Sequence, residues 1–265
     1  MFAVPTMWSM IAEIDGAQQK VKSLTRGLYG AAPMAPVLVK RVKEVLGTEL
    51  IQAYGQTEMG PAITFLAEED QLKKAGSAGQ PAYNHEIRVV RPNEDGPSEP
   101  DEVLAPFEVG EIIVRGPSMM AGYFQREDAT EKALYKGWYH SSDLGYLDEQ
   151  GYLYVADRVD DMIISGGENI YPREVEDALH GHDKVQDVAV LGIPDEKWGE
   201  SVLAFVVSKD HSLTEQELEA YCVNHENLAR YKRPRSYRFV DELPRNASGK
   251  IQKFLLREQY KQLSS

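Results

Sequence analysis

The sequence predicts an α/β protein in two parts, an α/β sheet that passes into a β-rich section and then a smaller α+β part. Three observations carry this expectation. A helical pattern near residue 36 runs into a short apolar strand and a polar turn; from about residue 80 strands and turns alternate; and beyond about residue 158 helices and strands mix again.

Taken in order, "APMAPVLVKRVKEVLG" reads as a helix entered at Pro36 and closed by Gly47, with Leu38, Val42, Val45 and Leu46 as its buried stripe. "ELIQAYG" follows as a short buried strand ending at Gly55. A helix, a strand and then a polar turn is the order of an open α/β sheet, whose ligands gather at strand ends. "HEIRVV", "GEIIVRG" and "GYLYVADR" are strands separated by turns such as "RPNEDGPSEP", a hairpin or barrel texture without long helices. "PREVEDALHG" is a helix with Pro172 in its first turn and Gly181 at its close. "VQDVAVLGIP" and "SVLAFVVSKD" are strands, and "TEQELEAYC" opens on a capping box of Thr214 and Glu217. A last helix runs from about Ile251, with Phe254 and Leu255 facing inward.

The 265 residues carry 29 basic and 42 acidic side chains, a net charge of −13. That balance argues against nucleic acid or an anionic membrane as partner, since phosphate backbones need a basic surface. Cys222 is the one cysteine, so no intrachain disulfide forms and a reducing compartment is expected. No run reaches the roughly 18 apolar residues of a spanning helix, and the default reading is a soluble cytoplasmic protein. The histidines lack zinc-ligand spacing, and "SGK" at 248–250 lacks the upstream glycine of a Walker loop.

Several stretches can carry chemistry. In "YGQTE" Tyr54 can stack on a purine, Thr57 can donate to a phosphate and Glu58 can hold a hard cation such as Mg²⁺; a capped surface loop accounts for the same residues. "YHSSD" ends in Asp143, which can accept two ribose hydroxyls or simply make an Asx turn. "RYKRPRSYR" holds five basic residues and no acid, a phosphate patch or a solvated charge run. In "LPRNASGKIQK", Lys250 sits on a glycine-containing loop before the last helix, where its ammonium can neutralise charge developing on a phosphoryl group; an ordinary exposed lysine accounts for it equally. "DRVDDMIISGGENIYPREVE", 157–176, spans the composition shift and reads as a domain boundary, with a solvated surface turn as the alternative.

Together with "GAAP" at 30–33, these stretches resemble, in order, the adenylate-forming acyl-CoA synthetase family, which includes luciferases and peptide-synthetase adenylation domains. "RVDDMIISGGEN" is particularly similar to bacterial fatty-acid and halobenzoate CoA ligases. The resemblance implies a two-step reaction: a fatty or aromatic carboxylate attacks MgATP to give an acyl-adenylate, and coenzyme A then displaces AMP. It places Gly30, Ala31, Ala32 and Tyr54 at the adenine, Thr57 at phosphate, Glu58 at Mg²⁺, and Asp143 and Arg158 at the ribose. Lys250 would bridge carboxylate and phosphate. It implies a large domain over 1–158, a hinge at 159–160 about Asp160, and a small mobile domain over 161–265. Gly166 and Gly167 would clear the pantetheine path, with Trp198, Tyr231 and Arg233 touching coenzyme A.

Two departures stand out. Ser141-Ser142 replace the family's usual threonine and glycine, which is expected to be tolerated while the acid is kept. The Ser/Thr/Gly-rich phosphate loop that the family carries ahead of "GAAP" is missing. The chain is therefore expected to be a C-terminal portion, inactive alone. A carrier-protein adenylation module and a non-catalytic nucleotide-binding fragment are the alternatives. If Lys250 is special, Lys250→Ala abolishes adenylation while Lys253→Ala, in the same stretch, does not.

Overall fold

A computed structural model describes every residue except Pro33, Glu94, Asp95, Val159, Asp160, His211, Ala247, Ser248, Ser264 and Ser265. The backbone forms two bodies, Met1–Val155 and Ala156–Ser265. The sequence places this division at about 158, and the hinge residue it names, Asp160, lies outside the described residues.

In the first body, β1 (Phe2–Ala3), β2 (Arg26–Tyr29) and β3 (Glu49–Tyr54) are parallel neighbours, and β4 (Thr64–Leu66) and β5 (Gln80–Pro81) extend the sheet antiparallel. Three helices share a core with it: α1 (Pro5–Ala12), α2 (Ala17–Lys20) and α3 (Pro36–Leu46). Pro36 opens α3, and Gly47, at φ 67°, closes it in the left-handed conformation that glycine adopts without steric cost. The buried stripe of α3 is Val39, Val42 and Leu46, with Leu38 half-buried, while Val45 is 36% exposed. Val39 rather than Val45 belongs to the stripe because the face turned to Trp8 and Leu50 follows positions 39, 42 and 46. In β3 only Leu50 is fully buried, so this strand is half-covered rather than the buried strand its composition predicts.

The second sheet contains β6 (Glu86–Val90), β7 (Gly110–Arg115), β8 (Leu134–Tyr135), β9 (Trp138–Leu147) and β10 (Leu153–Arg158), in the order β10-β9-β7-β6 with β8 paired to β9. Its core is built on Ile87, Val89, Ile112, Val114, Tyr139 and Leu153. A short helix, α4 (Glu127–Ala133), lies in this β-rich section and has no buried residue, so no apolar stripe announces it in the sequence.

The second body is a sheet with helices packed on it. A hairpin of β11 (Ile163–Ser165) and β12 (Glu168–Ile170) precedes α5 (Pro172–His180), and β13 (Val185–Asp195) pairs along its length with β14 (Gly199–Ser208). After α6 (Glu215–Asn224), β15 (Ser236–Phe239) joins β14 in parallel, and α7 (Lys253–Leu263) ends the fold. Val188, Val190, Val202, Ala204 and Val206 enter a core with α5 and α6, while Ala189, Leu191, Leu203, Phe205 and Val207 enter another with Leu256. Burial on both faces is why these strands read as unbroken apolar runs. The Thr214 hydroxyl caps α6 by accepting from the Glu217 N–H at 3.2 Å, while the Glu217 carboxylate goes to Lys184 at 3.0 Å instead of completing the box. Gly181 ends α5 in right-handed backbone. α7 begins at Lys253, and its inward residue is Leu256, fully buried; Phe254 is 54% exposed and Leu255 half-buried.

Candidate active site

The ends of β2 and β3 bring the first motifs together. Parallel pairing runs through Tyr29 and Gln52, so "GAAP" and "YGQTE" leave adjacent strands at the same edge of the sheet. The approach is close: a Cβ on Gly30 would lie 2.6 Å from the Ala53 carbonyl oxygen, which only glycine avoids. Ala31 follows at φ 65°, and Ala31 and Ala32 are exposed. Beyond β3 the chain makes a 3₁₀ turn at Thr57–Met59, with Thr57 exposed and Glu58 half-buried.

Asp143 comes to the same place from β9. "YHSSD" lies inside the strand rather than in a loop, and the register of that strand against β7 shifts between Glu111 and Ile113. Ser142 takes φ 56° there, a left-handed conformation that costs a serine free energy and a glycine little. The serine in place of the usual glycine is thus accommodated with strain.

Asp143 is buried, and Oδ2 accepts the Tyr54 hydroxyl at 2.6 Å and the Gln56 amide at 2.8 Å. The same Gln56 Nε2 reaches the Ser141 carbonyl at 3.0 Å, and the Tyr139 hydroxyl donates to Gln56 Oε1. The Ser141 hydroxyl donates to the Ile112 carbonyl and accepts from the Asp143 N–H at 3.1 Å. Burial, with the Asp143 charge adding to it, holds the Tyr54 phenol well above its ordinary pKa, so it remains a neutral donor. Burial raises Tyr139 likewise. Glu58 accepts the Tyr123 hydroxyl at 2.8 Å, and its backbone carbonyl accepts from the Met120 N–H.

The structure thus unites Gly30, Ala31, Ala32, Tyr54, Thr57, Glu58 and Asp143 in the first body. The sequence reading missed Gln56, Tyr139 and Ser141, although the first lies inside "YGQTE" and the others inside "YHSSD". Tyr123 had no local signal at all. Among the described residues no group of three or more His, Cys, Asp or Glu side chains forms a metal cage. A single carboxylate such as Glu58 fits Mg²⁺, which is usually held by one or two carboxylates together with substrate phosphates.

The remaining predicted residues lie in the second body. Gly166 and Gly167, at φ 63° and 85°, are the two central residues of the β11–β12 hairpin, a turn that needs positive φ at both positions. A Cβ on Gly166 would lie 2.8 Å from the Trp198 ring, and the Gly166 N–H donates to the Trp198 carbonyl at 2.8 Å. Turn geometry and this packing account for both glycines without a ligand. Trp198 and Tyr231 are each 45% exposed. The basic patch is partly neutralised: Lys232 pairs with Glu174 and Arg233 with Glu219, both at 2.7 Å. Of the aspartates in the boundary stretch, Asp157 accepts the N–H groups of Arg158 and Arg173 at 2.8 and 2.9 Å, and Asp161 pairs with Arg257 at 2.7 Å.

Lys250 is exposed beside the bridge between Arg245 and Ile251, its N–H donating to Asn246 Oδ1 at 2.9 Å. Lys253 differs sharply. Its ammonium is largely buried and lies 2.9 Å from Glu176. Burial pulls the Lys253 pKa down, but Glu176, Asp157 and Asp161 outweigh it and the net shift is upward. Lys253 is a structural ion-pair lysine, which makes it unsuitable as the neutral control for Lys250.

Residues 1–124 match the AMP-binding enzyme family, and residues 174–250 match the AMP-binding enzyme C-terminal domain. The chain belongs to the adenylate-forming, AMP-binding family. Within that family it is 45% identical over 255 residues to a 2-succinylbenzoate–CoA ligase of Geobacillus sp. (strain WCH70), covering 96% of this chain and 49% of that protein. The o-succinylbenzoate CoA synthetase of Bacillus subtilis in complex with AMP superposes with a TM-score of 0.83 at 40% identity, over 97% of this chain and 50% of that one. The amide bond synthetase McbA of Marinactinospora thermotolerans gives a TM-score of 0.83 at 32% identity, over 98% and 52%. The chain spans about half the length of the relatives it matches. The ligases among these adenylate-forming relatives are named for an aromatic acid, and the fatty-acid branch of the expectation has no counterpart in these names.

Proposed function

We propose that this chain carries the nucleotide-binding and lid portions of an AMP-forming acid:CoA ligase whose acid is 2-succinylbenzoate or a close aromatic relative. The observation that supports it most is the Asp143 carboxylate, held by Tyr54 and Gln56 where β2 and β3 end. A carboxylate fixed beside a glycine-cleared strand edge has the chemistry to accept ribose hydroxyls while adenine lies along Gly30, Ala31, Ala32 and Tyr54.

A carboxylate is a poor electrophile, and joining it to AMP supplies a good leaving group. In the first half-reaction the acid attacks the α-phosphate of ATP and releases pyrophosphate. Thr57 donates to phosphate, and Lys250 delivers its ammonium to the charge that grows in the transition state. Glu58 would hold Mg²⁺, which screens the phosphate charges when bound. In the second half-reaction the body over 161–265 turns about Asp160, Lys250 withdraws, and the Gly166–Gly167 turn with Trp198, Tyr231 and Arg233 faces coenzyme A. Arg233 must then exchange Glu219 for the incoming anion. Arg158, at the end of β10, joins Asp143 at the ribose.

The test joins these residues to the matching first half of the Bacillus subtilis synthetase and follows pyrophosphate release. Release that depends on 2-succinylbenzoate, and a thioester once coenzyme A is added, support the reading. Release driven by aliphatic acids but not by 2-succinylbenzoate would sink the substrate assignment. The likeness to an amide bond synthetase favours a second acceptor class, an amine, and product analysis with an amine in place of coenzyme A separates the two.

A further inference from the structure

We propose that Gln56 is the positioning residue that sets the ribose-binding carboxylate: clamped between Tyr139 and Ser141, its amide fixes how Asp143 faces the nucleotide. This rests on the nucleotide reading of the site given above. Gln56 Nε2 lies 2.8 Å from Asp143 Oδ2 and 3.0 Å from the Ser141 carbonyl. An amide can present either end, and a reversed one would set its oxygen against the carboxylate. The Ser141 carbonyl decides the matter: it can only accept, so it takes the NH₂ end and turns it toward Asp143, and the Tyr139 hydroxyl anchors the other end by donating to Gln56 Oε1.

The arrangement is built from three separate pieces of chain. Gln56 follows β3, Tyr139, Ser141 and Asp143 come from β9, and Ser141 is tied through its hydroxyl to the Ile112 carbonyl of β7. Tyr54 supplies the other donor to Oδ2 at 2.6 Å, so two neutral donors from the β3 side converge on one oxygen. That fixes the carboxylate plane before any ligand arrives, a preorganisation that lowers the entropy cost of binding a diol. Gln56 need not touch the nucleotide to do this.

The test measures binding of AMP and of 2′,3′-dideoxy-AMP to the 265-residue chain by calorimetry. The wild type is expected to prefer AMP by about tenfold or more, the worth of hydrogen bonds to a charged group. Gln56→Glu keeps the shape but sets a second carboxylate against Asp143. The AMP preference is expected to vanish near neutral pH, because the donor to Asp143 has become a like charge. Tyr139→Phe, which removes only the hydroxyl that anchors Gln56 Oε1, is expected to lose part of the preference, and it keeps the test valid should Gln56→Glu fold poorly. A Gln56→Glu protein with the full preference at neutral pH overturns the proposal, as does equal weakening of both nucleotides by Tyr139→Phe. A wild type that binds the two nucleotides alike overturns the nucleotide reading itself, and this proposal with it.

Discussion

Replacing Lys253 by methionine is expected to destabilise the second body by about 3 kcal/mol, the lower end of the cost of breaking a buried ion pair. The lower end applies because Lys253 and Glu176 keep 15% and 17% of their side-chain exposure, and because Glu176 also accepts the Val190 N–H at 2.8 Å. For a body of this size the loss corresponds to a melting shift of roughly 10–15 °C in its transition. The assay is scanning calorimetry of the whole chain, with Lys250→Ala as comparison. Lys250 is exposed, so its removal is expected to change stability by no more than about 0.5 kcal/mol. Adding Glu176→Gln to Lys253→Met is expected to recover part of the loss, since the stranded carboxylate is then gone. The pH dependence has a definite sign. The folded pKa of Lys253 lies above its ordinary 10.5, so its contribution is complete below the unfolded value and fades as pH rises through the folded one. The gap between wild type and variant therefore stays constant near neutrality and closes above about pH 10.5. Melting shifts of equal size for Lys253→Met and Lys250→Ala would refute the assignment.

Lys250→Ala in the fused synthetase is expected to abolish acid-dependent pyrophosphate release while AMP binding persists, with Lys261→Ala as the exposed control; matching losses in both would remove any special role for Lys250. Ser142→Gly relieves the left-handed backbone in β9 and should stabilise the fold by up to about 1 kcal/mol, read as a higher urea midpoint; a lower midpoint would show that the serine side chain outweighs the strain. Gly166→Ala meets both a positive φ and the Trp198 ring, whereas Gly167→Ala meets only the positive φ. The first should cost about 2 kcal/mol and the second about 1, read from the calorimetric transition of the second body. Equal costs would mean that Trp198 yields without effect.

Much of the site was legible because its chemistry is local. "YGQTE" follows a strand, "GAAP" follows a neighbouring strand, and parallel pairing alone brings their ends side by side. Other parts were not. That Asp143 lies inside β9 depends on the register shift against β7, which no short window reveals. Lys250 and Lys253 look equivalent as text, yet the start of α7 turns Lys253 inward to Glu176 while Lys250 stays on the loop before it. The same limit explains Val45 and Phe254, apolar side chains whose helix faces turn away from the core. Gln56 was quoted within a motif and passed over, because an amide gains its role only from what lies across from it.

The order of the motifs carried the resemblance to the family, and strand-and-helix periodicity carried the α/β class, since both depend on residues near one another along the chain. The partners of each polar side chain were decided by the tertiary structure alone: Tyr54 and Gln56 on Asp143, Lys253 on Glu176, Arg233 on Glu219. The physical reason is that a charge or amide acquires its orientation and pKa from groups distant in sequence, through burial and contacts that only the folded chain creates.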